Sequence, residues 1–154
     1  MDILLIAGLW LDGSVWDNVA AQLEARGHRA VPITLPGQGD GNTSATLADQ
    51  VATVVAAVDA AAGRPVVVGH SAACGLAWIA ADARAGKVSK VALIGGFPSS
   101  DGEPYFAGFP VQDGALAFPG WSEFEGADSA DLDDAARQAF ASAAIPVRRG
   151  SFAE

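Results

Sequence analysis

The stretch that most constrains this chain is Pro65-Val66-Val67-Val68-Gly69-His70-Ser71-Ala72-Ala73-Cys74-Gly75. A β-branched run, then Gly-His-Ser, then small helix formers read as a buried strand, a sharp turn with serine at its apex, and the start of a helix. A serine there must take up a strained backbone conformation. The flanking positions need small side chains so that strand and helix can pass closely. Gly69 and Ala73 are both small. In this context Gly-x-Ser-x-Ala fits a nucleophile elbow, which presents a serine hydroxyl for attack. It also fits a plainer feature, a tight strand-to-helix turn in which serine is the N-cap.

The residues before it place this turn in a sheet. Ile3-Leu4-Leu5-Ile6-Ala7 is a continuous apolar run, the pattern of a strand covered on both faces. It ends in Ala7-Gly8-Leu9-Trp10. Ser14 reads as a helix N-cap with Asp17 as its capping-box partner. Val15, Trp16, Val19, Ala20 and Leu23 then recur at helical spacing, and Gly27 stops the helix. A second strand is expected over about Ala30 to Thr34, on a sheet edge because of Pro32. After the loop Leu35-Pro36-Gly37-Gln38-Gly39-Asp40-Gly41, a helix from about Thr46 to Ala62 turns Leu47, Val51, Val54, Val55 and Val58 inward. The helix after Ser71 buries Cys74, Leu76, Ile79 and Ala80 and stops near Gly86. A fourth strand, Lys90-Val91-Ala92-Leu93-Ile94, closes at Gly95-Gly96.

Strands alternating with helices through right-handed crossovers give an α/β class, a doubly wound parallel sheet of order 2-1-3-4 with helices on both faces. Ligands in such sheets bind beyond the carboxyl ends of the strands, where the winding reverses. The loop at 7–10 and the Ser71 turn meet there.

From Phe97 to about Ala127 the periodicity breaks. Pro98, Pro104, Pro110 and Pro119 exclude long regular elements, while Tyr105, Phe106, Phe109, Phe118, Trp121 and Phe124 need burial. A lid or cap laid over the site, or aromatic packing beneath a long loop, answers both demands. A last helix is expected from about Asp131 to Ala144, acidic at its start and ended by Pro146. Residues 147–154 carry no readable pattern. The chain is read as one domain over 1–154, with βα units at 1–96, a cap at 97–146 and a tail at 147–154.

A chain of 154 residues suffices for one domain with a real core. Its net charge of −9 leaves no basic face for nucleic acid or an anionic membrane. The late acids Asp128, Asp131, Asp133 and Asp134 read as a solvated helix face. The single cysteine excludes an intrachain disulfide. No apolar run approaches the roughly 20 residues that span a bilayer. Met1-Asp2-Ile3 lacks the basic flank of a signal peptide, so a cytoplasmic protein is expected.

With these landmarks the chain resembles the α/β-hydrolase family over roughly residues 2–97. The resemblance is carried by Ala7-Gly8-Leu9-Trp10 with Trp16, by Leu35-Pro36-Gly37-Gln38-Gly39, and by Gly69-His70-Ser71-Ala72-Ala73. Segment 97–145 is similar to that family's variable cap. The resemblance implies a serine hydrolase of esters, amides or related acyl compounds, with Ser71 as nucleophile and the backbone N–H groups of Leu9 and Ala72 as oxyanion hole. One such donor is worth about 3 kcal/mol of barrier. It implies a small-molecule substrate and neither cofactor nor metal. Trp10, His70, Phe97 and Trp121 are the substrate-pocket candidates. Ala7 stands where the family often carries His; because Leu9 acts through its backbone, the hole is expected to survive that change.

The family order is Ser, then Asp or Glu, then His. No histidine follows Ser71: the two in the chain are His28 and His70. His28 opens strand two, about 17–20 Å from the site by strand length. His70 neighbours Ser71 on a strand, where successive side chains point to opposite faces. Asp82, Asp101, Asp113, Glu123 and Asp128 follow Ser71, but none stands where its context makes it the triad acid. The expectation is the front part of a serine hydrolase, inactive or weakly active for want of its base. The edge of strand 91–95 is then open, and self-association through it is expected. Two alternatives stand beside this. One is a non-catalytic relative that binds a small apolar ligand under the cap. The other is an unrelated doubly wound domain whose Ser71 turn holds a phosphate, weakened by the lack of a Gly-x-x-x-x-Gly-Lys pattern.

Overall fold

A computed structural model describes residues 1–98, 100, 108–126 and 129–151. Four parallel strands form its main sheet, in the order β2-β1-β3-β4. They are β1 (Asp2–Ile6), β2 (Arg29–Ile33), β3 (Val66–His70) and β4 (Lys90–Ile94). The helices between them are α1 (Asp17–Glu24), α2 (Leu47–Ala60) and α3 (Ala73–Ala83). This is the doubly wound α/β arrangement that the alternating pattern predicts.

Every residue of β1 is buried, because β1 is central and covered on both faces. Its side chains divide with period two. Leu4 and Ile6 join Val67, Val54 and Val58 of α2, and Leu76, Ala77 and Ala80 of α3 in one core. Ile3, Leu5 and Ala7 join Val68 and Trp16 in a second core on the opposite face, with Leu23 of α1 packed against it. Each fully buried Leu or Val side chain contributes about 1.5–3 kcal/mol, so the two apolar layers dominate the sheet's stability. Pro32 sits in β2, an edge strand, opposite Leu5, where its missing N–H is tolerated. The other edge is β4, whose Ile94 is exposed.

α2 starts as the sequence predicts. The Thr46 side chain accepts from the Asp49 N–H, and the Asp49 carboxylate accepts from the Thr46 N–H. α1 starts differently. Ser14 is not its cap: the Asp12 carboxylate accepts from the Ser14 N–H at 2.9 Å and opens a 3-10 turn, Gly13–Trp16, that runs into α1. An aspartate reaching two residues ahead forms this local bond more readily than a serine reaching three, and it captured the turn. The expected apolar face of this segment is also divided. Trp16 is buried, whereas Val15 and Val19 are exposed. On α3, Leu76 and Ala80 are buried as expected, but Ile79 and Trp78 face outward.

Beyond β4 the described chain folds over the carboxyl ends of the strands. Gln112 to Ala115 make a two-residue hairpin turn with reciprocal backbone bonds of 2.9 Å. It leads into β5 (Ala115–Leu116), which pairs antiparallel with β6 (Val147–Arg148). A 3-10 turn follows at Trp121–Phe124, and then α4 (Asp134–Ala143), capped by the Asp133 carboxylate on the Ala136 N–H at 2.7 Å. The patternless tail is therefore structured in part. Residues 147–148 form a strand, and the Ser151 hydroxyl, buried, donates to the Ala45 carbonyl at 3.0 Å. Tyr105, Phe106 and the last residues of the tail lie outside the described residues. Among those described, no helix is long and apolar enough to cross a membrane.

Candidate active site

Ser71 stands between the end of β3 and the start of α3 with φ of 54°, in the left-handed region that side chains other than glycine rarely occupy. Its backbone is held on both sides. The Ser71 N–H donates to the Ile94 carbonyl at 2.8 Å, and its carbonyl accepts from the Cys74 N–H at 3.0 Å. Three glycines leave the room this conformation needs. A Cβ on Gly69 would lie 2.5 Å from the Ala73 carbonyl oxygen, and one on Gly96 would lie 2.5 Å from that of Ser71. A Cβ on Gly8 would lie 2.9 Å from the Ser71 Cβ and 3.2 Å from His70 Nδ1. The loop after β1 thus rests directly on the Ser71 turn. The two meet at one end of the sheet, as the order 2-1-3-4 requires.

Above them opens a cavity of about 600 Å³. Gly8, Leu9, Trp10, His70, Ser71 and Gly95 form its floor, and Phe118, Trp121, Phe124, Leu132 and Phe140 of the cap form its roof. The roof is an aromatic cluster. Trp10 meets Phe118 edge-on at 5.5 Å and Phe124 at 5.9 Å, and Phe140 meets Phe118 at 4.9 Å. A polar knot holds the roof behind the rings. Arg137 donates to the Ser129 carbonyl at 2.7 Å, the Ser129 hydroxyl donates to the Phe124 carbonyl at 2.7 Å, and the Trp121 indole donates to the Arg137 carbonyl at 2.9 Å. Both Trp10 and Trp121 spend their indole N–H on backbone carbonyls, so they offer a ligand only their faces.

Of the pocket candidates, Trp10, His70 and Trp121 line this cavity. Phe97 does not. It is 90% exposed, past the glycine pair that ends β4. His70 also departs from the opposite-faces expectation. The strand ends at His70 and the backbone turns left-handed at Ser71, so both border the cavity and both abut Gly8. Its ring lies edge-on to Trp16 at 6.3 Å. His28 lies at the other end of the sheet, since Arg29 pairs with Asp2 at the start of β1. Asp82 is on α3, Asp113 in the hairpin turn before β5 and Glu123 in the 3-10 turn. None of these three lines the cavity, and Asp101 and Asp128 lie outside the described residues. Among the described residues no group of His, Cys, Asp or Glu is arranged to hold a metal.

Burial pushes the His70 imidazole below its ordinary pKa of 6.5 and pushes the Cys74 thiol up. Cys74 is therefore a packed thiol, its Sγ 3.3 Å from the Gly69 carbonyl. His70 is depressed in the fold, so the unfolded chain takes up a proton first as the pH falls. Its contribution is complete above about pH 6.5 and is lost as the pH drops through the window beneath. Replacing it as His70→Gln should flatten the acid limb of stability below about pH 6.5 in urea melts. An unchanged limb would show that the ring is not held neutral.

Leu116, Leu132 and Phe140 escaped the sequence reading. For Leu116 a signal was available. Asp113-Gly114 is a hairpin dipeptide, and both residues have positive φ, 51° and 72°.

A model of the alpha/beta hydrolase family matches residues 3–153. The chain belongs to the alpha/beta hydrolase family. Solved structures agree with that membership. An extracellular alpha/beta-hydrolase from a Paenibacillus species matches the whole of this chain and 69% of its own, with a TM-score of 0.84 at 21% identity. A pyrethroid hydrolase from Sphingobium faniae is 26% identical, with a TM-score of 0.62, over 71% of this chain and 47% of that one. Another pyrethroid hydrolase structure is 28% identical, with a TM-score of 0.57, over 62% of this chain and 40% of that one. The alpha/beta hydrolase chain described here thus spans less than half the length of these two pyrethroid hydrolases. No curated protein matches it. With esterase and hydrolase neighbours, it carries a hydrolase fold whose strand ends, Ser71 turn and cap enclose one aromatic cavity.

Proposed function

We propose that Ser71 is the nucleophile of a serine hydrolase acting on esters or related acyl compounds, and that its turn is a nucleophile elbow. The observation that carries this reading is the positive φ of Ser71 at the strand-to-helix apex, on the floor of the aromatic cavity. The hydroxyl oxygen attacks the acyl carbon, the carbonyl π pair moves onto oxygen, and the tetrahedral oxyanion is received by the N–H groups of Leu9 and Ala72. Those two donors are suited to the task. Leu9 borders the cavity beside Ser71, Ala72 follows Ser71 directly, and neither N–H is engaged by an acceptor among the described residues. Fixed donors aimed at developing charge are worth about 100-fold to 1000-fold each. Collapse of the oxyanion expels the alcohol or amine and leaves an acyl-serine for water to hydrolyse.

The Ser71 proton needs a base. His28 is at the far end of the sheet, and no hydrogen bond joins His70 to the Ser71 hydroxyl among the described residues. The 154-residue chain is accordingly proposed to work weakly, at the residual rate that oxyanion stabilisation and binding supply. That shortfall also favours a second reading, a non-catalytic relative that holds a small apolar ligand in the same cavity.

A fluorophosphonate probe separates the two. Stoichiometric labelling of Ser71, lost in Ser71→Ala, supports the hydrolase. Absence of labelling, with an uncharged aryl ketone still bound and quenching tryptophan fluorescence, supports the binding protein and ends the first reading.

A further inference from the structure

We infer that Trp10 is a positioning residue through which the cap sets the direction of the Leu9 N–H. The inference rests on the proposal that Leu9 supplies an oxyanion donor. Trp10 follows Leu9 directly, and its φ of 65° puts a bulky aromatic residue in the left-handed region. Such a conformation persists where surrounding structure enforces it.

The enforcement comes from residues a hundred positions later. The Trp10 carbonyl accepts from the Ile145 N–H at 2.9 Å, just past the end of α4. The Trp10 indole N–H donates to the Leu116 carbonyl in β5 at 3.1 Å. The ring is 7% exposed and is surrounded by Phe109, Phe118 and Phe124. Main chain and side chain of one residue are therefore gripped by two cap segments, and β5 and the β6 strand after Ile145 are themselves paired. The grip fixes the peptide plane after Trp10 through its carbonyl and the Trp10 Cα through its ring. The Leu9 N–H lies one peptide plane further back, above Gly8, which rests on the Ser71 Cβ. A loop that drifts at Trp10 carries Leu9 away from the oxygen it would bind. Small misplacements of this kind cost about 100-fold in rate when the group must meet a transition state.

Two variants loosen the grip in different ways. Trp10→Phe keeps an aromatic ring and removes the indole donor. Ile145→Pro removes the main-chain donor at a site where the preceding residue, Ala144, is already extended (ψ of 127°) as a following proline requires. The NMR order parameter of the Leu9 N–H should fall from the rigid range of about 0.85 to below about 0.6 in both, while the β1 amides stay rigid. Fluorophosphonate labelling of Ser71 should slow by about 10-fold or more. In Ile145→Pro, which leaves the lining of the cavity intact, binding of an uncharged aryl ketone should change by less than about 3-fold, since a ground-state ligand does not need the oxyanion donor. An unchanged Leu9 order parameter in both variants overturns the inference. So does a loss of labelling that merely tracks weaker ketone binding or a lower melting point. If the unaltered chain never reacts with the probe, the hydrolase proposal has failed, and the Leu9 order parameter still decides whether the cap holds this loop.

Discussion

Ser71→Gly should melt higher than the unaltered protein while losing all reaction with a fluorophosphonate. A residue with a side chain at φ of 54° carries about 1–2 kcal/mol of strain that glycine does not. Against this, glycine gives the unfolded chain more freedom, at a cost of about 0.5–1 kcal/mol. The strain is the larger, so the net gain is about 0–1.5 kcal/mol, or a rise of up to about 6 °C for a domain of this size. Ser71→Ala retains the Cβ and hence the strain, and its melting point should stay near that of the unaltered protein. Both lose the hydroxyl and both should fail to label. A Ser71→Gly protein that melts clearly below Ser71→Ala would mean that the turn is unstrained, and the elbow reading would lose its physical basis. The contrast works because the two substitutions remove the same chemistry and differ only in backbone preference.

The sheet was legible because a buried parallel strand leaves little room for other residues. Ile3 to Ala7 and Val66 to Val68 must be apolar on both faces, and the order 2-1-3-4 follows from where the three crossovers can go. The floor of the cavity was legible at Leu9, Trp10 and Ser71 because loop and turn are tied to those strand ends. Elsewhere the controlling physics is not periodic. Asp12 outcompeted Ser14 through a local bond that a helical repeat does not record. The cap aromatics, Phe109, Phe118, Phe124 and Phe140, form one cluster although nothing in their spacing says which ring meets which. A two-residue strand such as Val147–Arg148 is too short to show alternation at all. Phe97 was expected to line the pocket, but it follows the glycine pair that ends β4, is exposed, and is the candidate that lies outside the cavity. The hairpin turn is the opposite case, since Asp113-Gly114 states the turn type outright.

Among the described glycines, Gly69→Ala should be the most damaging added methyl. Its Cβ would meet the Ala73 carbonyl oxygen at 2.5 Å, the Ala73 carbonyl carbon at 2.9 Å and the Ala77 Cβ at 2.9 Å. All three belong to α3 backbone or to a side chain with no rotamer to change, so relief requires α3 to move away from β3. That motion reopens the core shared by Val67, Ala73, Leu76 and Ala77. Overpacking of this kind costs about 1–3 kcal/mol and more where backbone must shift, so a loss of about 3 kcal/mol is expected in urea melts. Ser71 is two residues away and depends on the same contact, so labelling should fall with stability. Gly96→Ala should act similarly, since its Cβ would meet the Ser71 carbonyl oxygen at 2.5 Å. Gly63 and Gly86 provide the comparison. Neither has any atom within 4 Å of an added Cβ, and neither has positive φ. Alanine there should leave labelling intact and change stability by less than about 1 kcal/mol, in the stabilising direction if at all. Equal effects at Gly69 and Gly86 would mean that β3 and α3 do not pass as closely as these distances require. The left-handed turn at Ser71 would then need another cause.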